Sequence, residues 1–172
     1  AVQLVKKYDN LIISRTFSKA WGLAGLRVGY TISNAGIISL LRNLKSPYNV
    51  NSLSAALAMK ALRKGKGKMQ ENVVRMRSER EWLRGELALL GFFVYPSVCN
   101  FLLVRPPLCS KTASILQKEI AGQGIIVRDR SDVPLPPNTF RITVGTQSQN
   151  RRLLGCIKRA LVGNAGYDTV LF

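Results

Sequence analysis

One lysine in this chain sits among groups that could use it chemically. The window Ser14-Arg-Thr-Phe-Ser-Lys-Ala-Trp-Gly-Leu-Ala-Gly-Leu-Arg-Val-Gly-Tyr30 holds Lys19 with Thr16, Ser18, Arg15, Arg27 and the glycines 22, 25 and 29. A nucleophilic lysine must be partly neutral at neutral pH, a state favoured by burial and by neighbouring cations. Arg15 and Arg27 supply cationic groups nearby in sequence. Thr16 and Ser18 offer hydroxyls to a phosphate, and Arg27 offers the planar fork that matches phosphate oxygens. Gly22, Gly25 and Gly29 let the backbone bend and approach a ligand. An imine-forming lysine beside phosphate-holding groups is what pyridoxal phosphate requires. The competing reading is an exposed loop lysine with a surface arginine. A Ser-Lys dyad fails because Ser18 and Lys19 are adjacent and cannot face each other on a strand or a helix. No G-x-x-x-x-G-K-[ST] phosphate loop is present.

Such a loop needs elements to hold it. The apolar run Leu11-Ile12-Ile13 precedes it and Val28-Gly-Tyr-Thr-Ile32 follows it, which reads as strand, polar loop, strand. Ile37, Ile38, Leu41 and Leu44 recur at helical spacing, and Ser46-Pro47 stops that helix. Asn51 or Ser52 caps the next helix, interrupted at Gly65 and Gly67. A long helix begins near Lys68. Its apolar stripe is Met69, Val73, Met76, Leu83, Leu87 and Leu90, with Arg80 the one intruder, and Gly91 ends it in a left-handed cap. The texture then becomes mixed. Residues 92–95, 101–105, 125–128 and 140–144 read as strands, residues 111–120 and the Leu153–Leu161 stretch as helices. The three prolines between Ser131 and Asn138 make that segment a loop. Two regions follow, 1–67 and 68–172. The first is too short to bury both faces of its own strands, which implies a missing N-terminal half.

Composition narrows the classes. The chain has 172 residues, 47% of them apolar, enough for a sizeable core. No apolar run approaches a membrane span, so no membrane partner is expected. The start carries no signal peptide and no initiator methionine, so an upstream segment is expected and targeting cannot be read there. Cys99, Cys109 and Cys156 show no C-x-x-C spacing. Free thiols fit a reducing compartment, the cytoplasm or, with an upstream transit peptide, an organelle. With no histidine in the chain, neither a zinc site nor a His-based triad is expected. The formal charge of +17 points to polyanions or phosphorylated ligands, and Lys60 to Arg84 carries nine Lys or Arg against three Glu. A basic nucleic-acid-binding protein is the reading from another class. It is disfavoured because only Trp82 interrupts the basic run and no RNA-recognition or helix-turn-helix pattern is present.

The window from Ser14 to Tyr30 resembles the lysine motif of class-II-type, fold-type-I aminotransferases, and among them the histidinol-phosphate aminotransferases. Ser46-Pro-Tyr-Asn-Val-Asn51 resembles that family's following segment. Val127-Arg-Asp129 and Phe140-Arg-Ile-Thr-Val-Gly-Thr146 resemble its C-terminal substrate-contact motifs. The four motifs stand in the family's order. The resemblance implies an α/β fold, with residues 1–67 the end of the large pyridoxal-phosphate-binding domain and 68–172 a long linking helix and small α+β domain. It implies that Lys19 bonds the cofactor aldehyde and then serves as general base and acid. Arg27 matches the arginine on the cofactor phosphate, helped by Thr16 and Ser18. Arg141 matches the arginine that grips a substrate carboxylate or, in the histidinol-phosphate enzymes, a phosphate, with Arg128 as its partner. Two arginines on one anion give charge-assisted, bidentate recognition. A buried guanidinium at Arg141 needs an anionic partner.

The implied reaction is amino transfer between histidinol phosphate and 2-oxoglutarate in histidine biosynthesis, by a homodimer in which Ser46 to Asn51 is a candidate for reaching the partner subunit. The alternative in the same fold is a decarboxylase of an amino-acid phosphate. The family's aspartate on the pyridine nitrogen, its ring-stacking residue and its N-terminal arm have no counterparts here, and Asp9 is not a substitute. The chain as it stands is therefore expected to be inactive. A pseudo-enzyme retained for dimerisation is a further possibility.

Overall fold

The computed structural model describes residues 2–108, 110–130 and 136–162. The chain divides into two compact units, Ala1–Val73 and Val74–Phe172.

In the first unit a short 3-10 helix, Val2–Lys6, leads to strand β1, Ile13–Thr16, which pairs antiparallel with β2, Gly29–Ile32. The register sets Ile13 opposite Ile32 and Thr16 opposite Gly29. This corrects the expected strand over residues 11–13: the pairing starts at Ile13 and runs through Ser14, Arg15 and Thr16, assigned above to the loop. The apolar run marked a hydrophobic approach to the strand, whereas the cross-strand hydrogen bonds decide where it lies. The approach is tied down by Ser33 Oγ, which donates to the Leu11 carbonyl at 2.7 Å, and by Asn34 Nδ2, which donates to the Asp9 carbonyl. Helices α1, Ala35–Leu44, and α2, Ser52–Lys64, follow. Each starts on an asparagine whose side chain takes an otherwise orphaned backbone N–H. Asn34 accepts from Ile37 N at 2.9 Å and Asn51 from Ser54 N at 2.8 Å. Burial in this unit is sparse: α1 buries no residue and α2 only Ser54 and Ala58.

Helix α3 runs Lys66–Leu89 and carries the unit boundary within it. It begins two residues before the expected Lys68 and absorbs Gly67. Gly91, at φ +82, closes its C-terminal end in the left-handed region that glycine adopts without a Cβ clash. Leu83 and Leu87 are fully buried. Arg80, the charge in the apolar stripe, leaves only 11% of its side chain exposed. Its Nη1 donates to the Cys99 carbonyl at 3.2 Å and its Nε to Glu81 at 3.0 Å. The stem thus covers apolar surface while the head is satisfied at the edge.

The second unit is a four-stranded antiparallel sheet with order β3-β4-β6-β5: β3 Phe93–Val94, β4 Phe101–Arg105, β5 Arg128–Asp129 and β6 Phe140–Thr143. Helix α4, Ala113–Gly122, and α5, Gln147–Val162, complete it. The period of two along the strands sends Leu102, Val104, Phe140 and Ile142 into a core with Leu116, Ile120 and Ile157. Phe92 meets Phe140 edge-on at 6.1 Å. The opposite face of the sheet carries Phe101, Arg141 and Thr143. The strand expected over 125–128 is instead two residues starting at Arg128, because only there does it find β6. The expected proline loop falls largely on 131–135, outside the described residues, as does Cys109. Cys99 and Cys156 are free thiols, exposed and buried respectively. Among the described residues no helix is long and apolar enough to cross a membrane.

Candidate functional site

The lysine loop hangs from the open end of the β1–β2 pair. Phe17 N donates to the Val28 carbonyl at 3.1 Å, one step beyond the ladder, so Ser18 and Arg27 flank that junction. Leu23 N returns to the Phe17 carbonyl at 3.0 Å, and Gly22 N to the Lys19 carbonyl at 2.9 Å. Gly22 sits at φ +69, which a side chain at that position would resist. The turn folds over Phe17, 2% exposed, whose ring meets Trp21 at 5.6 Å and Tyr30 at 6.0 Å. This aromatic anchor went unremarked in the sequence, although Phe17 stands at the centre of the motif. Gly29 is needed by close approach: a Cβ there would lie 2.8 Å from the Arg15 carbonyl oxygen.

Lys19 is exposed, and the expected burial around it is absent in this chain. Ser18 N donates to Thr16 Oγ1 at 3.0 Å, so a tight turn sets the two hydroxyl residues side by side. Arg27 holds φ 54 and ψ 41, a left-handed conformation that costs a non-glycine residue about 1–2 kcal/mol. Its Nη1 donates to the Ala24 carbonyl at 3.1 Å. Strain of this kind is found where a side chain must be aimed. Thr16, at the end of β1, and Ser18, Lys19 and Arg27, in the loop that follows it, thus all belong to the first unit.

The second cluster lies wholly in the sheet unit. Arg128 on β5 and Arg141 on β6 are direct cross-strand partners. Arg128 is exposed and Arg141 half-buried. Arg141 places its guanidinium 5.1 Å from the centre of the Phe101 ring. Its Nε is buried and meets no hydrogen-bond acceptor among the described residues. Among the described residues the guanidinium thus meets an aromatic face in place of the expected anionic partner. Both arginines border a pocket of about 450 Å³, lined also by Ile126, Val127, Asp129 and Thr143. Like charges placed directly opposite repel. Two guanidiniums beside one pocket have the chemistry to take up an oxyanion, since each fork can donate to its oxygens. Phe101 joins the site through cross-strand register, which the sequence does not display. Among the described residues no group of His, Cys, Asp or Glu is arranged to hold a metal ion.

The model of the family "Aminotransferase class I and II" matches residues 1–157. The chain is 43% identical over 162 residues to a histidinol-phosphate aminotransferase of Thermoanaerobacter pseudethanolicus, covering 94% of this chain and 44% of that protein. Among solved structures, histidinol-phosphate aminotransferase from Sinorhizobium meliloti in complex with pyridoxal-5'-phosphate is similar with a TM-score of 0.76 and 28% identity, over 90% of this chain and 42% of that one. L-threonine-O-3-phosphate decarboxylase from Porphyromonas gingivalis is similar with a TM-score of 0.77 and 26% identity, over 91% and 48%. The chain thus spans about half the length of the relatives it matches. The α/β fold, the order of the motifs and the family match over most of the chain lead to one assignment: this chain belongs to the aminotransferase class I and II family.

Proposed function

We propose that this chain is part of a pyridoxal-phosphate-dependent aminotransferase that moves an amino group between histidinol phosphate and 2-oxoglutarate, in histidine biosynthesis. The observation that carries the substrate class is the Arg128–Arg141 pair beside a pocket, with a buried Nε that meets no acceptor among the described residues. The relative from Thermoanaerobacter pseudethanolicus, a histidinol-phosphate aminotransferase by name, supports the choice of substrate.

The donor set of the lysine loop fits the cofactor: a solvent-accessible amine, two hydroxyl residues in one tight turn, and a guanidinium on a strained backbone. Lys19 would hold the cofactor through its Nζ, and Thr16, Ser18 and Arg27 would hold the phosphate. Bound pyridoxal phosphate supplies the electron sink that amino transfer requires. Lys19 Nζ, once free, takes a proton from the substrate carbon and returns it one position away, as general base and then acid. Phe17 locks the backbone on either side of that amine, so proton transfer does not wait on loop ordering. Arg128 and Arg141 orient the substrate by its anionic end. Exposed Leu44, Tyr48 and Leu53 around the segment 46–51 support a homodimer of the intact protein.

A decarboxylase of an amino-acid phosphate is the second reading, favoured by the similarity to the Porphyromonas gingivalis enzyme. It uses the same lysine and the same arginine pair but releases the carboxylate instead of the proton. The test takes the full-length parent with pyridoxal phosphate, reduces it with borohydride and maps the modified residue. Label is expected on Lys19 and lost in K19A. Label elsewhere overturns the cofactor assignment, and release of carbon dioxide instead of amino transfer selects the second reading. The 172-residue chain alone is expected to show no amino transfer, and detection of transfer by it would overturn that expectation.

A further inference from the structure

We propose that Ser114, acting through Asp129, is a positioning residue that keeps Arg128 opposite Arg141. The inference rests on the anion-binding role given to that pair. Strand β5 is two residues long and lies at the edge of the sheet. Two ladder positions and the bond from Arg130 N to the Thr139 carbonyl at 3.0 Å join it to β6. That is a weak hold for a strand whose first residue faces a like charge across the ladder.

The helix beneath adds to that hold. Alternation along β5 puts Arg128 on the face of Arg141 and Asp129 on the face of Phe140, which is fully buried against the helices. There Ser114 Oγ donates to Asp129 Oδ2 at 2.5 Å, a short bond of the charge-assisted kind. Gln117, three residues on and hence on the same face of α4, donates from Nε2 to the Val127 carbonyl at 3.3 Å. Helix α4 itself is fixed, because Ala113, Leu116 and Ile120 are fully buried and Asn138 Oδ1 accepts from Ala113 N at 2.6 Å. Two side chains of α4 therefore hold the residues on both sides of Arg128, Val127 before it and Asp129 after it. Ser114 does not line the pocket, so any effect it has on an anion passes through the strand.

The test uses the 172-residue chain and inorganic phosphate, with binding followed by phosphorus NMR at low ionic strength. Losing one of two charge-assisted contacts should weaken phosphate binding about tenfold in R128A. S114A should reproduce most of that loss, S114T should bind as the wild type, and S114A should add nothing in an R128A background. All variants are compared below their unfolding midpoints, measured in parallel. If R128A binds phosphate like the wild type, the anion-site reading falls, and this inference with it. If R128A weakens binding and S114A does not, this inference alone is overturned. Equal losses from S114A with and without Arg128 would show a general loosening of the unit and would also overturn it.

Discussion

Replacing Arg141 with methionine should stabilise the ligand-free chain and remove its response to phosphate. Among the described residues Arg141 buries Nε without an acceptor, which costs about 1–3 kcal/mol. It also faces Arg128 directly, and like charges so placed add about 0.2–1 kcal/mol. On the other side, R141M gives up the guanidinium over Phe101, worth about 0.5–1 kcal/mol. A thioether returns about 0.3–1.5 kcal/mol against the same ring. Arg141 is half-buried, so the lower ends of the two costs apply, and the balance favours the variant by about 1 kcal/mol. For a unit of this size that raises the unfolding midpoint by about 4–8 °C. Phosphate acts in the opposite sense. At ten times its Kd it should stabilise the wild type by about 1.4 kcal/mol and R141M by almost nothing. Calorimetry or dichroism melts with and without phosphate measure both effects. If R141M melts below the wild type without phosphate, or gains as much from phosphate, the argument that this arginine is strained for an anion is refuted.

Asn150, 1% exposed, donates from Nδ2 to Glu79 at 3.0 Å and to the Gly145 carbonyl at 3.2 Å, and accepts from Gly145 N at 2.9 Å. N150A strands these groups and should cost about 3 kcal/mol in a denaturant titration. G29A drives a Cβ against the Arg15 carbonyl and should speed amide exchange at Phe17 about tenfold, through an overpacking cost of about 1–3 kcal/mol; unchanged exchange would show that the β1–β2 junction does not need the glycine. Glu81 is held below its ordinary value of 4.5, mainly by the hydrogen bond from Arg80, then by the charges of Arg80 and Arg84. A lowered folded-state pKa gives stability that is present above the unfolded value and lost as pH falls through the lowered one. Wild type should therefore lose more of its midpoint than E81Q between pH values above and below about 4.5. Equal losses would show that the bridge does not couple to folding.

Much of this molecule is legible in one dimension because its causes are local. The spacing of Met76, Leu83 and Leu87 marks a buried helix face, since residues three and four apart share a side whatever lies beyond. Asn51 and Gly91 mark helix ends because a cap is a contact with the next few residues. Lys19 and Arg27 are close in sequence and sit in one loop, so their motif could be read directly.

Register, by contrast, is decided by segments far apart in the chain. Nothing near residue 13 shows that β1 runs on through Thr16, and nothing near residue 128 shows that β5 starts there. Both are fixed by hydrogen bonds to a distant strand. Arg80 reads as an error in an apolar stripe until the Cys99 carbonyl arrives to accept from it. The chain by itself determined the elements, the family motif and the residues able to do chemistry. Only the tertiary structure set two arginines face to face, buried the Nε of one of them and put a helix behind the strand that carries the other. Charge and hydrogen-bond balance depend on which groups meet, and that is a property of the fold.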